Sequence, residues 1–413
     1  MQWLIRKRII FVGENDFLSF FDAVCACCKT CERWCKRDNL TIIENYTILY
    51  MARIQITLLG REVLPVYYPI MQLRPDKVYL IGTPEVESVA ANLKATLEDV
   101  EFVFKKVPAF DVKETHNLCE AIHSSHPGDE FSYNITGGTK MMAIGAFISA
   151  LNHKDNVKAY YTDGKKLIDL SDFSEDNLMC KVDTKTFFKL HGQRLRSYEM
   201  YEFDKDVFDS AKAIKTFALN EGSSFSRMMK TYKRYGNQPW PAHYDDGHVK
   251  CDVDGDSLTV EVEGKEVLAI TAPDPVKLLF EGRWWETLVV AAISRWADGR
   301  YEIWTSVVFQ PLENADASKD KNEVDILVNV GNTLLFVECK SGTFNQDNVY
   351  KLNSVRNTYG GGRSEAAIIS FYPYDKTLNE KAKENKVEIV ISGKYGMGNI
   401  GKKLSEMLET IKA

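Results

Sequence analysis

The sequence predicts an α/β protein built from two successive domains, a doubly wound Rossmann-like one and a second α/β domain after it. Three observations carry this reading. From Met51 to Asp163, short β-branched and aromatic runs alternate with helical stretches, the pattern of a parallel sheet wrapped by helices. From Pro273 the order changes to helix, strand, hairpin, helix, strand and terminal helix. At 413 residues the chain also exceeds what one ordinary core holds. Composition agrees with a globular chain, 45% hydrophobic and 27% charged. The net charge of −6 argues against a generally basic nucleic-acid coat, yet it is compatible with acids clustered around a metal. No apolar run reaches spanning length and no secretory pattern stands out, so a cytoplasmic protein with reduced thiols and no membrane partner is expected.

Residues 1–50 stand apart. Cys25, Cys27, Cys28, Cys31 and Cys35 crowd together, and Cys28-x-x-Cys31 is half of a zinc site, but a second pair with ligand spacing is missing. The simpler reading is an N-terminal extension placed before a domain that needs nothing upstream. That domain is expected over 51–190. Its first strand, Ala52 to Leu59, ends at Gly60, and Val63 to Leu73 is a connecting helix or turn broken by Pro65 and Pro69. Lys77 to Thr83 reads as a short buried strand, followed by a helix from Pro84 to Leu97 with Thr83 as its cap. Strands at Val100–Val107, Glu130–Thr136 and Val157–Asp163 enclose helices at Lys113–His123 and Met141–Leu151. Residues 191–272 read as a connector with helices at Asp204–Ala218 and Ser224–Tyr235, then hairpin strands turning at Asp254-Gly255 and Glu263-Gly264. The last domain, 273–413, is expected to hold a helix at Glu281–Trp296, a strand at Tyr301–Phe309, a hairpin, a helix near Asp347–Asn357, a strand at Ala366–Phe371 and a helix from Gly401.

Two stretches carry chemistry. Asn322 to Gly342 alternates with period two, so Glu323, Asp325, Leu327 and Asn329 share one face of a strand that turns at Gly331-Asn332. On the returning strand Glu338 and Lys340 share a face and Cys339 takes the other. Carboxylates and an ammonium at half-buried strand positions need partners or a metal. The second stretch, Asn134 to Lys140 (NITGGTK), lies where a strand gives way to a helix, the end of an open sheet at which ligands bind. Gly137 and Gly138 permit close backbone approach, the helix start favours phosphate, and Thr136, Thr139 and Lys140 add hydroxyls and a charge. Neither GxxxxGK[ST] nor GxGxxG is present, and a tight turn with a capping threonine accounts for the stretch equally well.

The strand ending N-x-T-G-G-T-K before a methionine- and alanine-rich helix resembles the signature of the CARF domains of CRISPR defence proteins. Asp325 followed by Glu338-x-Lys340 resembles a PD-(D/E)xK nuclease, with Val324 where that motif often has proline. Glu286, in GRWWETLV, resembles the helix acid of the same superfamily, with Glu281 as a competing choice; Gln346 and Tyr350 resemble its Q-x-x-x-Y helix or are a surface pair. Together they resemble the CARF–PD-(D/E)xK effectors of type III CRISPR systems, the Card/Can nucleases. The resemblance implies a Rossmann-like CARF domain followed by a restriction-endonuclease-like domain. It implies a homodimer binding a cyclic oligoadenylate, cyclic tetra-adenylate by preference, through Thr83, Asn134, Thr136, Gly137, Gly138, Thr139 and Lys140, with Gly60 and Arg61 as weaker contacts. It implies Mn²⁺ or Mg²⁺ held by Glu286, Asp325, Glu338 and the carbonyl of Cys339, the ion polarising the scissile phosphate and acidifying water that Lys340 positions or deprotonates. The implied activity is activator-dependent, nonspecific cleavage of single-stranded RNA and DNA, with nicking of duplex DNA. A non-enzymatic ligand-sensing regulator and a ring nuclease that degrades its own cyclic nucleotide are the alternatives. Trp284 and Trp285 fit core packing or one base-stacking platform, and Tyr359 to Arg363, with Arg356, either approaches phosphate or is a plain loop.

Overall fold

The computed structural model describes residues 9–10, 49–154, 156–310, 322–331, 333–362, 364–393 and 396–412. The cysteine cluster between Cys25 and Cys35, Asn332 and Arg363 lie outside the described residues. The chain divides into two compact units, one of Met1–Arg61, Pro65–Ala90 and Leu97–Leu178, the other of Glu62–Leu64, Ala91–Thr96 and Met179–Ala413.

In chain order the first part runs β1 (Arg53–Leu58), α1 (Leu64–Leu73), β2 (Lys77–Gly82), α2 (Glu87–Thr96), β3 (Glu101–Lys106), α3 (Val112–Ser124), β4 (Glu130–Asn134), α4 (Lys140–Asn152), β5 (Val157–Thr162), β6 (Lys166–Asp169) and β7 (Glu175–Asn177). The strands form one sheet in the order β3-β2-β1-β4-β5-β6-β7, parallel up to β5 and antiparallel beyond. The order reverses at β1 and β4, which makes the space beyond their carboxyl ends the place for a ligand. Ile54, Ile56 and Leu58 alternate into a core with Tyr79, Ile81, Phe131, Tyr133, Met142 and Ala146. Gly145 lets α4 lie against α3, because a Cβ there would meet the Val112 carbonyl oxygen at 2.5 Å. The alternation expected from Met51 folds as a doubly wound sheet. Two details differ. Val63 to Leu73 is not broken: α1 runs unbroken through Pro69, and Pro65 sits in its first turn, where an N–H is not needed. Thr83 takes the cap position with extended backbone but makes no capping hydrogen bond, its hydroxyl bonding Glu85 instead, and the helix begins as a 3₁₀ turn at Pro84–Val86. β6 and β7 carry little apolar pattern, and all of β7 is exposed.

The second part holds α5 (Thr184–Leu190), β8 (Leu195–Met200), α6 (Lys205–Asn220), α7 (Gly222–Tyr235), β9 (His243–Asp245), β10 (Val249–Asp254), β11 (Ser257–Val262), β12 (Lys265–Thr271), α8 (Pro275–Phe280), α9 (Arg283–Ala297), β13 (Glu302–Phe309), β14 (Glu323–Asn329), β15 (Leu334–Lys340), α10 (Gln346–Tyr359), β16 (Glu365–Ser370), α11 (Lys376–Glu384), β17 (Val387–Ile391) and α12 (Gly398–Lys412). A six-stranded sheet runs β8-β13-β14-β15-β16-β17, with the last three strands parallel, and β9 to β12 form an antiparallel sheet. The stretch expected to be a connector shares its core with the C-terminal domain: Ile214, Phe217, Met228, Val260 and Leu268 are buried in the same cluster as Trp284, Trp285, Val328, Val337 and Ile369. β8 is its contribution to the larger sheet.

Candidate functional sites

The hairpin of β14 and β15 builds the first site. Its register pairs Ile326 with Val337, Leu327 with Phe336, Val328 with Leu335 and Asn329 with Leu334. Period two then sends Ile326, Val328, Leu335, Val337 and Cys339 into the core and turns Asp325, Glu338 and Lys340 to the other face. Beyond Ile326 and Val337 the ladder stops, and the Asp325 carboxylate takes the place of a backbone acceptor by receiving the Cys339 N–H at 2.6 Å. In an extended strand the N–H and C=O of one residue point to the same side. The Cys339 carbonyl therefore faces Asp325, while the next carbonyl, that of Lys340, turns away to accept the Phe371 N–H at 2.8 Å. Lys340 Nζ donates to Glu338 Oε1 at 2.5 Å.

α9 brings the third acid. Trp284 and Trp285 are both buried, Trp285 donates its indole N–H to the Ile369 carbonyl at 2.9 Å, and both pack edge-on against Phe371. Neither serves as an open stacking platform. This anchoring points the next residue, Glu286, at the hairpin. Glu286 is pushed up to about 7 by burial and by the charges of Glu323 and Glu338, against the pull of Arg283 and Lys340. Burial, Glu338 and Glu286 hold Asp325 well above the usual carboxylate range. Burial works against the charge on Lys340, but the Glu338 carboxylate and its hydrogen bond raise the ammonium's pKa. Burial raises the Cys339 thiol far enough to keep it a neutral core group. Glu281, the rival of Glu286, instead accepts from Tyr232 and lies by Arg283. Glu323 joins the site by its charge, and its place two residues before Asp325 on the same face is the signal that marks it.

Carboxylates that raise one another's pKa are missing positive charge, and hard oxygen donors are what Mn²⁺ or Mg²⁺ takes. The donor set fits such an ion in kind. Among the described residues no three His, Cys, Asp or Glu side chains are already gathered as a metal site; Asp325 accepts from the Cys339 N–H and Glu338 from the Lys340 ammonium. Further along, Gln346 is exposed and Tyr350 is 41% exposed on α10. Arg356 is not a free cation for phosphate: it is buried and donates to the carbonyls of Lys386 and Asn385 and to the side chains of Asn353 and Asn357.

The glycine loop after β4 lies at the sheet's switch point. Asn134 is fully buried; its amide donates to the Pro65 carbonyl at 2.9 Å and its oxygen accepts the Thr136 hydroxyl at 2.7 Å. That carbonyl is available because its ordinary helical donor, four residues on, is Pro69, which has no N–H. Thr136 Oγ1 in turn accepts the Thr162 N–H at 2.9 Å. Gly137 is needed by the fold itself: a Cβ would lie 2.1 Å from the Leu58 carbonyl oxygen. Gly138 has φ +71°, and its N–H lies 3.3 Å from where a Cβ on Gly60 would stand. Thr139 caps α4, accepting the Met142 N–H at 3.2 Å while its hydroxyl donates to the Ala109 carbonyl. Asn134 and Thr136 thus brace the loop, while Arg61, Gly138 and Lys140 are exposed and Gly60, Thr83, Gly137 and Thr139 are half-exposed. Among the described residues neither Arg61 nor Lys140 makes an ion pair. A groove of about 1030 Å³ opens at the other end of this sheet, lined by Arg53, His123, His153 and Asp169, and holds none of these residues.

A CARF domain followed by a nuclease domain is the class these two sheets and their sites define. Residues 275–411 match the Card1-like endonuclease domain family, and residues 53–167 match the N-terminal HFX_2341-like family. The chain joins a CARF domain to a nuclease domain, the latter matching the Card1-like endonuclease domain family over residues 275–411. Among solved structures, Can2 from Sulfobacillus thermosulfidooxidans, in complex with cyclic tetra-adenylate, is 18% identical with a TM-score of 0.65, covering 87% of this chain and 100% of its own. Protein VC1899 from Vibrio cholerae is 15% identical with a TM-score of 0.66, covering 87% and 98%. A type III CRISPR defence DNA nuclease activated by cyclic oligoadenylate is 18% identical with a TM-score of 0.51; 81% of this chain aligns, to 47% of that one. No curated protein matches the chain in sequence.

Proposed function

We propose that the chain is a metal-dependent nuclease switched on by a cyclic oligoadenylate, cyclic tetra-adenylate by preference, and that it cleaves single-stranded RNA and DNA and nicks duplex DNA. The observation that carries this is the set Glu286, Asp325, Glu338 and Lys340 at the open end of the β14–β15 ladder, three carboxylates against one ammonium. Glu286, Asp325, Glu338 and the Cys339 carbonyl would hold Mn²⁺ or Mg²⁺, which supplies Lewis-acid polarisation of the phosphate. Lys340 is charged and held by Glu338, so it is set to orient water and offset charge growing on the phosphate. Cys339 keeps the two active residues on one face by occupying the core on the other.

On the sensor side, Gly60, Arg61, Thr83, Gly137, Gly138, Thr139 and Lys140 offer backbone N–H groups, a hydroxyl and two cations to a phosphate ring, and Asn134 and Thr136 hold that loop in shape. A ring with two-fold symmetry suits a two-fold dimer, which presents each group twice. The homodimer reading gains support from α4, where Met141, Ile144, Ile148 and Leu151 are 42%, 48%, 42% and 51% exposed along one helix face. Sedimentation of the full chain should give a dimer, and Ile144→Glu with Ile148→Glu a monomer; a dimer unaffected by the pair would remove α4 from the interface. The nuclease reading is tested with labelled single strands in Mn²⁺ and activator. Glu338→Gln should lower the rate by about 10²-fold or more, the scale of losing a group that stabilises developing charge, whereas an unaltered rate would favour a ligand-sensing regulator with a contaminating activity.

A further inference from the structure

One helix carries a run of outward-facing cations. α7 buries Ser224, Phe225 and Met228 and turns Arg227, Lys230, Lys233 and Arg234 outward. Positions three and four apart share a helix face, so these cations form one stripe. Arg227 is paired with Asp246 at 2.6 Å. Among the described residues Lys230, Lys233 and Arg234 make no ion pair. Lys233 and Arg234 stand in the last turn, where the helix dipole favours cations, but the stripe runs back from there through Lys230 to Arg227, in a chain of net charge −6.

Its position ties it to the hairpin. Tyr232, on the opposite side of α7 from the stripe, stacks on Phe280 with centroids 4.6 Å apart and planes at 7°, and its hydroxyl donates to Glu281 at 3.2 Å. The next residue, Gly282, lies so close to the hairpin's end that an added Cβ would stand 2.7 Å from Ser341 Oγ. Ser341 follows Lys340. The Tyr232 side of α7 is thus linked, through Glu281 and Gly282, to the chain that follows Lys340, and the stripe lies on the helix's other side.

We infer that α7 is a track for the phosphate backbone of a single-stranded nucleic acid, with Lys230, Lys233 and Arg234 as its contacts and Arg227 as a fourth held in reserve by Asp246. This deepens the nuclease reading and rests on it for the identity of the strand. Exposed cations along a helix match a polyanion by charge, and backbone contacts of this kind carry no sequence preference.

The test reads binding without cleavage. Fluorescence anisotropy of a short labelled RNA, and of the DNA of the same sequence, is followed against salt with the full chain in EDTA. Replacing Lys230, Lys233 and Arg234 together by Gln should weaken binding at low salt by about tenfold or more, and should flatten the log–log salt slope by about 2, since each lost phosphate contact on a single strand removes about 0.7. Lys230→Arg with Lys233→Arg should keep affinity and slope. An unchanged slope in the triple Gln variant overturns the track, and so does loss of binding to poly-glutamate with none to either nucleic acid. If only one of RNA and DNA responds, the track serves that strand. A chain that binds with the expected slope yet never cleaves in Mn²⁺ with activator removes the nuclease reading and keeps the track. One that cleaves while the variant's slope is unchanged removes the track alone.

Discussion

Asp325 is bonded to a neighbouring backbone N–H and still held well above its ordinary pKa, because burial and two further carboxylates outweigh that bond. Such an arrangement has a consequence for stability without metal. An acid whose folded pKa is raised holds its proton more tightly when folded, so stability falls as pH rises from the unfolded value to the folded one. For Glu286 that window runs from 4.5 to about 7. The metal-free protein should therefore melt at a lower temperature at pH 8 than at pH 5, and Mn²⁺ should raise the melting temperature more at pH 8. Asp325→Asn should shrink both effects; an equal Mn²⁺ shift in that variant would place the ion elsewhere. The residues behind this were legible in the sequence, because period two alone puts Glu323, Asp325, Glu338 and Lys340 on shared faces. Arg356 was not legible as a core residue. Its partners are the carbonyls of Asn385 and Lys386 just past the end of α11, some thirty residues away, and no local pattern says which carbonyls a distant side chain meets.

Between residue and fold, α1 shows how a proline shapes a distant loop. Pro69 withholds the N–H that would bond the Pro65 carbonyl, and Asn134 takes the vacancy and fixes the start of the NITGGTK loop. Pro69→Ala restores a competing donor inside the helix. Cyclic tetra-adenylate should then bind about three- to tenfold more weakly, by calorimetry, the scale of one net hydrogen bond, with the melting temperature little lowered. Unaltered binding would mean that Asn134 is not a brace the ligand depends on. The sequence marked Pro65 and Pro69 as breaks, since it shows a missing N–H but not the side chain that replaces it. β6, β7, β8 and β17 were not placed either: β7 and β8 are mostly exposed, β6 is only four residues long, and in β17 buried Ile389 and Val390 are adjacent, which breaks the alternation. The stretch at 191–272 was set apart because its strands alternate by themselves, yet its apolar faces close onto Trp284 and Trp285. Which of two apolar faces a helix meets is not written in either helix alone.

At the scale of the whole chain, the glycine loop lies at one sheet's switch point and the acidic hairpin on another sheet. Activation requires the ligand to bind the cleaving arrangement more tightly than the idle one, and a tenfold activation asks for about 1.4 kcal/mol of that difference. The direct measurement is the initial rate of cleavage of labelled single-stranded RNA and DNA in Mn²⁺, with and without cyclic tetra-adenylate. The account predicts a rate at least about tenfold higher with the activator, abolished by Glu338→Gln and reduced toward the basal level by Lys140→Ala. Equal rates with and without the ring, at full nuclease activity, would contradict it.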